Sequence, residues 1–201
     1  MTDDSNKISR REFTALSLAA GVTAAAGSSA AAADMVDTDV EVKTADGTCD
    51  AALIHPKGKG QWPGVILFVD IFGLRPTMRD MAKRLAANGY TVLVPNPYYR
   101  TTKAPGLPGT LDFTSADDRA KIAKVREPMT DAAVMSDATA YVKFLDAQAM
   151  VNKKAKMGVF GYCMGGPMTM QAAAASPSRV GAGASFHGRS EERRVGKECR
   201  P

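Results

Sequence analysis

The stretch KMGVFGYCMGG, residues 156–166, decides the fold because it joins a short apolar strand directly to a helix. Residues 156–161 predict a strand, and the alanine-rich residues 164–175 predict a helix that follows without a linker. Gly161 and Gly165 flank Cys163 at the spacing G-x-C-x-G. Glycines at these positions remove the collisions that side chains would make in a sharp strand-to-helix turn. The stretch therefore predicts a thiol raised above a sheet edge, at a helix N-terminus whose dipole favours the thiolate.

This spacing matches the nucleophile elbow G-x-S-x-G with cysteine in place of serine. Cys163 is thus a candidate nucleophile, and the Met164 amide beside it is a candidate donor to an oxyanion. The alternative is an inert core thiol, which is common after a strand. Cys49 has no glycine elbow and lies within a predicted hairpin strand, so we expect it to be structural.

A second element is the loop 69–74 (VDIFGL), at the exit of an apolar run. In a fold with such an elbow this loop supplies the other oxyanion donor, for which the Ile71 amide is the candidate. Asp70 is expected near the elbow. The alternative for Asp70 is a turn former or a helix cap.

Outward from the elbow, strands alternate with helices, which predicts a doubly wound, mostly parallel α/β sheet in one domain. The helix that begins near the apolar run is expected to be capped by Thr77. A long irregular loop is expected over 96–115, which carries three of the eleven prolines. The predicted strands are 39–44, 49–55, 65–69, 90–94, 156–161 and 180–186, and the predicted helices are 77–88, 131–148 and 164–175.

Composition excludes several classes of protein. The 201 residues are 45% hydrophobic and 23% charged, which is ordinary for a globular domain. Three cysteines and two histidines are too few for a disulfide framework or a structural zinc site, so no metal or cofactor is expected. The net charge of +5 is dispersed, which argues against a nucleic-acid partner. No apolar run reaches the roughly 18 residues of a membrane span, so no stable membrane anchor is expected.

Residues 1–33 resemble a twin-arginine export signal. Arg10 and Arg11 precede an alanine-rich apolar stretch, 15–27, and then a run of small residues, 28–33. Cleavage is expected between positions 31 and 34, which would leave a periplasmic or secreted protein whose partner is the twin-arginine export machinery. The alternative is an alanine-rich amphipathic helix that stays attached.

At the other end, the composition changes abruptly after Gly188. Residues 189–201 (RSEERRVGKECRP) look like one reading frame of a short-read sequencing adapter. They are therefore expected to be a non-native tail on a domain, 34–188, that is incomplete at its C-terminus, and Cys199 is excluded from the site. The alternative is a natural charged helical tail.

Taken together, these residues resemble the dienelactone hydrolases, cysteine members of the α/β-hydrolase superfamily. The resemblance runs from about Val40 to Gly188, and it rests on four motifs: DIFG at 70–73, LAANGY at 85–90, PNPY at 95–98 and GYCMGG at 161–166. It implies hydrolysis of a small-molecule ester or lactone by a Cys-His-Asp triad without a metal.

By resemblance, Cys163 is the nucleophile, and Ile71 and Met164 supply the oxyanion amides. Asp70 lies where the family often carries a glutamate that contacts the resting cysteine, and its side chain is one methylene shorter. Arg100 matches an arginine that binds the substrate carboxylate in well-known members. The alternative for Arg100 is a solvated loop arginine.

The sequence departs from the family after the nucleophile. The acid and the base should follow Cys163, yet the only later histidine is His187 and no aspartate follows. We expect His187 to be a residue at the rim of the site, with the general base as its alternative role, and the catalytic Asp and His to lie in a missing C-terminus. The predicted function is hydrolysis of a carboxylate-bearing ester or lactone through an acyl-thioester. The alternatives are a non-catalytic α/β-hydrolase-like binding protein or inactive fragment and, more weakly, a redox-sensing thiol.

Overall fold

The computed structural model describes residues 34–108 and 110–188, which form six strands and four helices. The predicted export signal, 1–33, and the predicted non-native tail, 189–201, lie outside this part of the chain. The elements are β1 (Met35–Thr44), β2 (Gly47–Pro56), β3 (Gly64–Phe68), α1 (Pro76–Ala86), β4 (Thr91–Pro95), α2 (Ala116–Arg126), α3 (Asp131–Ala147), β5 (Met157–Tyr162), α4 (Gly165–Ala175) and β6 (Val180–Phe186).

The six strands form one mixed sheet in the order β1-β2-β4-β3-β5-β6. The hairpin β1–β2 is antiparallel and β2 pairs antiparallel with β4, whereas β4, β3, β5 and β6 are parallel to one another. The predicted mostly parallel α/β sheet is therefore confirmed. Because the carboxyl ends of parallel strands meet at one edge of a sheet, the loops after β3, β4, β5 and β6 lie at the same edge.

Helices cover both faces of the sheet, which explains why the central strands are apolar throughout. In β3, Ile66 and Phe68 pack into a core with α3 and α4, while Val65 and Leu67 face the opposite core, which includes α1. The continuous apolar run 65–69 thus supplies both layers of the core from a single strand.

Two local expectations differ from the structure. Thr77 does not cap α1: Arg75 is the N-cap residue, and Pro76 occupies the start of the helix, where its missing N–H costs no hydrogen bond. The sequence also indicated no helix over 116–126, where α2 lies. Its N-cap is Ser115, whose hydroxyl accepts from the Asp118 N–H, and Ile122 is its one buried residue. A helix that buries so little shows no apolar periodicity.

The longest of the described helices, α3, has 17 residues. None of the helices in residues 34–108 and 110–188 combines the length and the apolar character needed to cross a membrane.

Candidate active site

Cys163 lies at a sharp turn between β5 and α4, in a left-handed backbone conformation with φ of +51°. Non-glycine residues rarely adopt this conformation, and it is concentrated at functional sites. The turn is closed by two backbone hydrogen bonds: the Cys163 N–H donates to the Phe186 carbonyl (2.9 Å), and the Gly166 N–H donates to the Cys163 carbonyl (3.0 Å).

The glycines of the elbow are required by backbone contacts. A Cβ atom on Gly161 would lie 2.2 Å from the Gly165 carbonyl oxygen, and one on Gly165 would lie 2.5 Å from the Phe68 carbonyl oxygen and 2.7 Å from that of Val69. No side chain fits at these separations. The absence of Cβ atoms therefore lets the start of α4 rest directly on the end of β3.

Two backbone N–H groups beside the thiol are free to donate. In the loop after β3, the Phe72 N–H donates to Asp70 Oδ1 (3.0 Å) and the Gly73 N–H donates to the Asp70 carbonyl (3.1 Å). The Ile71 N–H between them has no partner among the described residues, and neither does the Met164 N–H. Unpaired donors from two loops at one sheet edge are the arrangement that an oxyanion hole requires.

The half-buried Cys163 opens into a cleft with a volume of about 450 Å³. Ile71 and Met164 line the same cleft, together with His187 from the end of β6. Within the described part of the chain, no three His, Cys, Asp or Glu side chains converge to form a metal-binding group.

The profile of the dienelactone hydrolase family matches residues 49–199 of the chain. The chain belongs to this family. The match covers most of the hairpin strand β2, the whole parallel part of the sheet and the elbow.

Curated relatives of the dienelactone hydrolase family carry names that agree with this assignment. A Methylorubrum extorquens protein provisionally named carboxymethylenebutenolidase is 31% identical over 189 residues, which are 90% of this chain and 62% of the relative. The carboxymethylenebutenolidase of Pseudomonas putida is 28% identical over 140 residues, which are 70% of this chain and 57% of the relative. The chain thus spans about three fifths of the length of these two proteins.

Solved structures share the fold. A Klebsiella pneumoniae structure, provisionally described as a dienelactone hydrolase, superposes with a TM-score of 0.64 at 22% identity and covers 78% of this chain and 61% of its own. The dienelactone hydrolase from Anabaena variabilis superposes with a TM-score of 0.57 at 18% identity, covering 79% and 66%. Both comparisons support the α/β-hydrolase fold.

Asp70 does not make the contact with the nucleophile that the dienelactone hydrolase resemblance suggested. Its carboxylate forms a bidentate ion pair with Arg75, with Nη1–Oδ1 and Nη2–Oδ2 distances of 2.6 and 2.8 Å, and it also accepts from the Phe72 N–H. The carboxylate has no hydrogen bond to Cys163. The alternative interpretation, a turn-forming aspartate, is the one that these contacts fit.

Arg100 is also poorly placed for the role that the family resemblance gave it. Its guanidinium bonds Asp137 in α3 (2.8 and 2.9 Å) and Asp46 in the β1–β2 turn (2.6 and 3.0 Å). It does not line the Cys163 cleft. Its charge is fully engaged by two carboxylates, so the prediction that Arg100 binds a substrate carboxylate does not fit the structure. It is not a solvated loop arginine either.

Arg126, at the end of α2, is the basic residue that lines the Cys163 cleft. Its guanidinium is exposed and forms no ion pair with a described residue. Sequence reasoning missed it because no helix was expected over 116–126. The signal that could have found it is the acidic start and basic end of this segment, which suit a helix dipole.

His187 lies in the cleft wall with a left-handed φ of +58° and an exposed ring. Its ring has no hydrogen bond to a carboxylate in residues 34–108 and 110–188. Asp131 is the one described carboxylate that lines the cleft, and it accepts a hydrogen bond from Gln171 Nε2 (2.7 Å). The described residues therefore contain the predicted nucleophile and the predicted oxyanion donors without an assembled Cys-His-Asp triad.

Cys49 differs from Cys163 in every respect. It is fully buried, its Sγ lies 3.4 Å from the Asn96 carbonyl oxygen, and it accepts from the Tyr141 hydroxyl at 3.4 Å. Burial raises the pKa of the Cys49 thiol to about 12. The thiol thus stays protonated and packed, as the structural role predicted for it requires.

Proposed function

We propose that the protein is a cysteine-dependent hydrolase of esters or lactones, of the carboxymethylenebutenolidase type. The observation that carries this proposal is the placement of Cys163. Its left-handed elbow opens into a cleft that Ile71 and Met164 also line, and the N–H groups of these two residues have no partner among the described residues. Dienelactone hydrolase membership and the names of the curated relatives support the same reaction.

In the first half of the reaction, the Cys163 sulfur attacks the carbonyl carbon of the substrate. The C=O π electrons move onto oxygen, and the N–H groups of Ile71 and Met164 stabilise the resulting oxyanion. Collapse of this intermediate breaks the bond to the leaving oxygen, which takes up the proton that the Cys163 thiol has lost. The acyl group then remains on sulfur as a thioester.

In the second half, water attacks the thioester carbonyl, and the carboxylic acid and the free thiol are released. This step needs a base to take the proton of the water. His187 is the histidine that the described part of the chain presents to the cleft. A site that holds a nucleophile without an oriented base turns over slowly, because no group takes the proton of the attacking water.

The substrate we propose carries a carboxylate. Arg126 presents an unpaired guanidinium at the cleft that contains the nucleophile, and a guanidinium binds a carboxylate through two parallel hydrogen bonds. Arg126 takes the role that the sequence suggested for Arg100.

A binding protein built on the same fold is the second candidate. It is favoured by one observation, which is that the His187 ring has no carboxylate partner among the described residues. Such a protein would bind acidic small molecules at Arg126 and would not form a thioester.

Acylation separates the two candidates. The 201-residue protein is mixed with p-nitrophenyl acetate, and acetylation of each cysteine is followed by peptide mass spectrometry, with Cys163→Ala as the control. A hydrolase gives a burst of p-nitrophenol that matches acetylation of Cys163 and disappears in Cys163→Ala. Acetylation of Cys163 no faster than that of free cysteine would establish the binding protein and refute the hydrolase.

We also propose that residues 1–33 direct export by the twin-arginine route to the periplasm or outside the cell. The Arg10–Arg11 pair, the weakly apolar stretch 15–27 and the small residues 28–33 support this. The test is expression in a bacterium with this pathway, followed by N-terminal sequencing of the periplasmic protein. A mature N-terminus between positions 31 and 34 that is lost in Arg10→Lys/Arg11→Lys supports export, and an uncleaved cytoplasmic chain contradicts it.

Finally, we propose that residues 189–201 are not native to the protein. Their abrupt change in composition and their likeness to a sequencing adapter support this. The genomic DNA downstream of the Gly188 codon tests it. A reading frame that continues with an Asp and then a His supports the proposal, and codons that encode 189–201 in the genome overturn it.

A further inference from the structure

Tyr98, in the loop after β4, joins the two segments that carry the free N–H groups. Its hydroxyl donates to the Ile71 carbonyl at 2.7 Å and lies 3.4 Å from Met164 Sδ. The side chain is fully buried. One hydroxyl therefore contacts a residue in the loop after β3 and the residue that follows Cys163, which are 93 positions apart in sequence.

The tyrosine is held in place from several directions. Its backbone N–H donates to Asn96 Oδ1 (3.0 Å), and Asn96 is itself fully buried. Its ring packs with Leu107 and Ile122 in a small separate core. A Cβ atom on Gly106 would lie 2.7 Å from the ring, so the loop beyond Tyr98 presses directly on its face. A ring confined in this way points its hydroxyl in one direction.

The hydroxyl acts as a donor to Ile71. Burial raises the pKa of Tyr98 well above its ordinary value, so the phenol keeps its proton at neutral and moderately alkaline pH. The Ile71 carbonyl accepts a hydrogen bond from that hydroxyl, and the neighbouring N–H groups of Phe72 and Gly73 donate to Asp70. Its carbonyl and the two following N–H groups are engaged, so Ile71, which lines the cleft, keeps one free backbone group, its own N–H.

We propose that Tyr98 is a positioning residue for the oxyanion hole, whose hydroxyl fixes the Ile71 and Met164 backbones relative to the Cys163 sulfur. This proposal rests on the proposed hydrolase function. Tyr98 does not touch the substrate, so its contribution is confined to steps in which an oxyanion forms. Acylation of Cys163 forms one, whereas alkylation of the same sulfur by iodoacetamide is a direct displacement at carbon that forms none.

The test compares these two reactions in Tyr98→Phe, which removes the hydroxyl alone. The second-order rate constants for acetylation of Cys163 by p-nitrophenyl acetate and for its alkylation by iodoacetamide are measured by peptide mass spectrometry. We expect acetylation to slow by about 10- to 100-fold. This is no more than the slowing that removal of a whole oxyanion donor causes. Alkylation is expected to change by less than about twofold, because the thiol itself is untouched.

Tyr99→Phe is the matched control. The neighbouring Tyr99 hydroxyl also forms buried hydrogen bonds, but to Asp137 (2.8 Å) and Thr44 (2.7 Å), away from the cleft. Its loss should leave the ratio of the two rates unchanged. Equal acetylation rates in wild type and Tyr98→Phe, or a parallel fall of both reactions, would overturn the positioning role.

A second variant guards against a Tyr98→Phe protein that fails to fold. Met164→Leu keeps the Met164 N–H and removes the sulfur that the Tyr98 hydroxyl contacts. A two- to fivefold slower acetylation with unchanged alkylation supports the proposal, and unchanged acetylation contradicts it. If wild-type Cys163 is not acetylated at all, the hydrolase function fails first, so the two failures are distinguishable.

Discussion

Asp70 and Arg75 form a two-point ion pair across the loop that joins β3 to α1, with N–O distances of 2.6 and 2.8 Å. Both side chains are about four-fifths buried, with exposures of 19% and 23%. The pair ties the second residue of the loop to the residue that caps α1, so the intervening Ile71 cannot rotate freely. Asp70, which the sequence predicted beside Cys163, thus holds the conformation of the loop that contains Ile71.

Breaking this pair should weaken both the fold and the site. Arg75→Gln removes the charged partner, so we expect the free energy of unfolding to fall by about 1–3 kcal/mol. Acetylation of Cys163 should slow because the Ile71 N–H loses its fixed direction. Urea denaturation and the acetylation assay measure the two effects. Arg84→Gln, on the same helix and without an ion pair to a described residue, is the control and should change neither; wild-type values for Arg75→Gln would contradict the bracing role.

The elbow glycines should be far less replaceable than another glycine of β5. Gly161→Ala would bring a Cβ atom to 2.2 Å from the Gly165 carbonyl oxygen, whereas Gly158→Ala would place one at an ordinary 3.6 Å from Val65 Cγ2. We expect a loss of at least about 3 kcal/mol of unfolding free energy for Gly161→Ala and a change of less than about 1 kcal/mol for Gly158→Ala. Equal denaturation midpoints for the two variants would show that the elbow tolerates side chains.

The left-handed backbone of Cys163 should cost stability that glycine recovers. Glycine adopts a φ of +51° without the clash that a Cβ atom makes, although it also loses more entropy on folding. We therefore expect Cys163→Gly to be about 0.5–1 kcal/mol more stable than Cys163→Ala, with both unable to form a thioester. Thermal and urea denaturation give the comparison. A Cys163→Gly protein less stable than Cys163→Ala would mean that the elbow is unstrained.

Arg126 should determine the preference for acidic substrates. Arg126→Gln removes the unpaired guanidinium from the cleft, so we expect acylation of Cys163 by the anion p-nitrophenyl hemisuccinate to slow by about tenfold. Acylation by the neutral acetate ester should be unaffected. Lys124→Gln, on the same helix and outside the cleft lining, is the control. Equal losses with both esters would assign Arg126 a structural role.

The buried thiol of Cys49 should make the protein less stable in alkali. Its pKa is raised to about 12 in the folded state, so unfolding releases a proton as soon as the pH exceeds the ordinary thiol value of 9.0. The stabilisation is complete below that value and is lost as the pH rises towards about 12. Between pH 8 and 10 we expect the wild type to lose about 1.4 kcal/mol more unfolding free energy than Cys49→Ser, which does not titrate. Urea denaturation at the two pH values tests this, and parallel losses would contradict it.

Much of the fold could be predicted because its signals are local. The apolar strands, the hairpin and the strand–turn–helix around Cys163 all depend on neighbouring residues, and the structure has each of them. The helix α2 was missed because it buries only Ile122 and follows a proline-rich loop, so its apolar periodicity is absent. The start of α1 was misplaced because Thr77 has the chemistry of a cap, while Pro76 has the more suitable backbone.

The site was harder to predict because the side chains that contact one another there come from distant segments of the chain. Arg100 is neutralised by Asp46 and Asp137, which lie 54 and 37 positions away, and no local pattern links them. For the same reason, no local pattern predicted the hydrogen bond between Tyr98 and Ile71. Arg126 could not be identified as a cleft residue because the helix that contains it was not predicted. Motifs with a fixed spacing could be found from the sequence, whereas charge pairing across the fold could not.

The close approach of Gly165 to the carbonyl oxygens of Phe68 and Val69 makes the geometry of the elbow insensitive to substitutions elsewhere. The spacing between the start of α4 and the end of β3 is set by main chain packed on main chain, with no side chain in between. Substitutions in the surrounding layers can accumulate without altering that spacing. Related chains that keep a glycine at this position can therefore keep the same spacing between the two segments, even where most other residues differ.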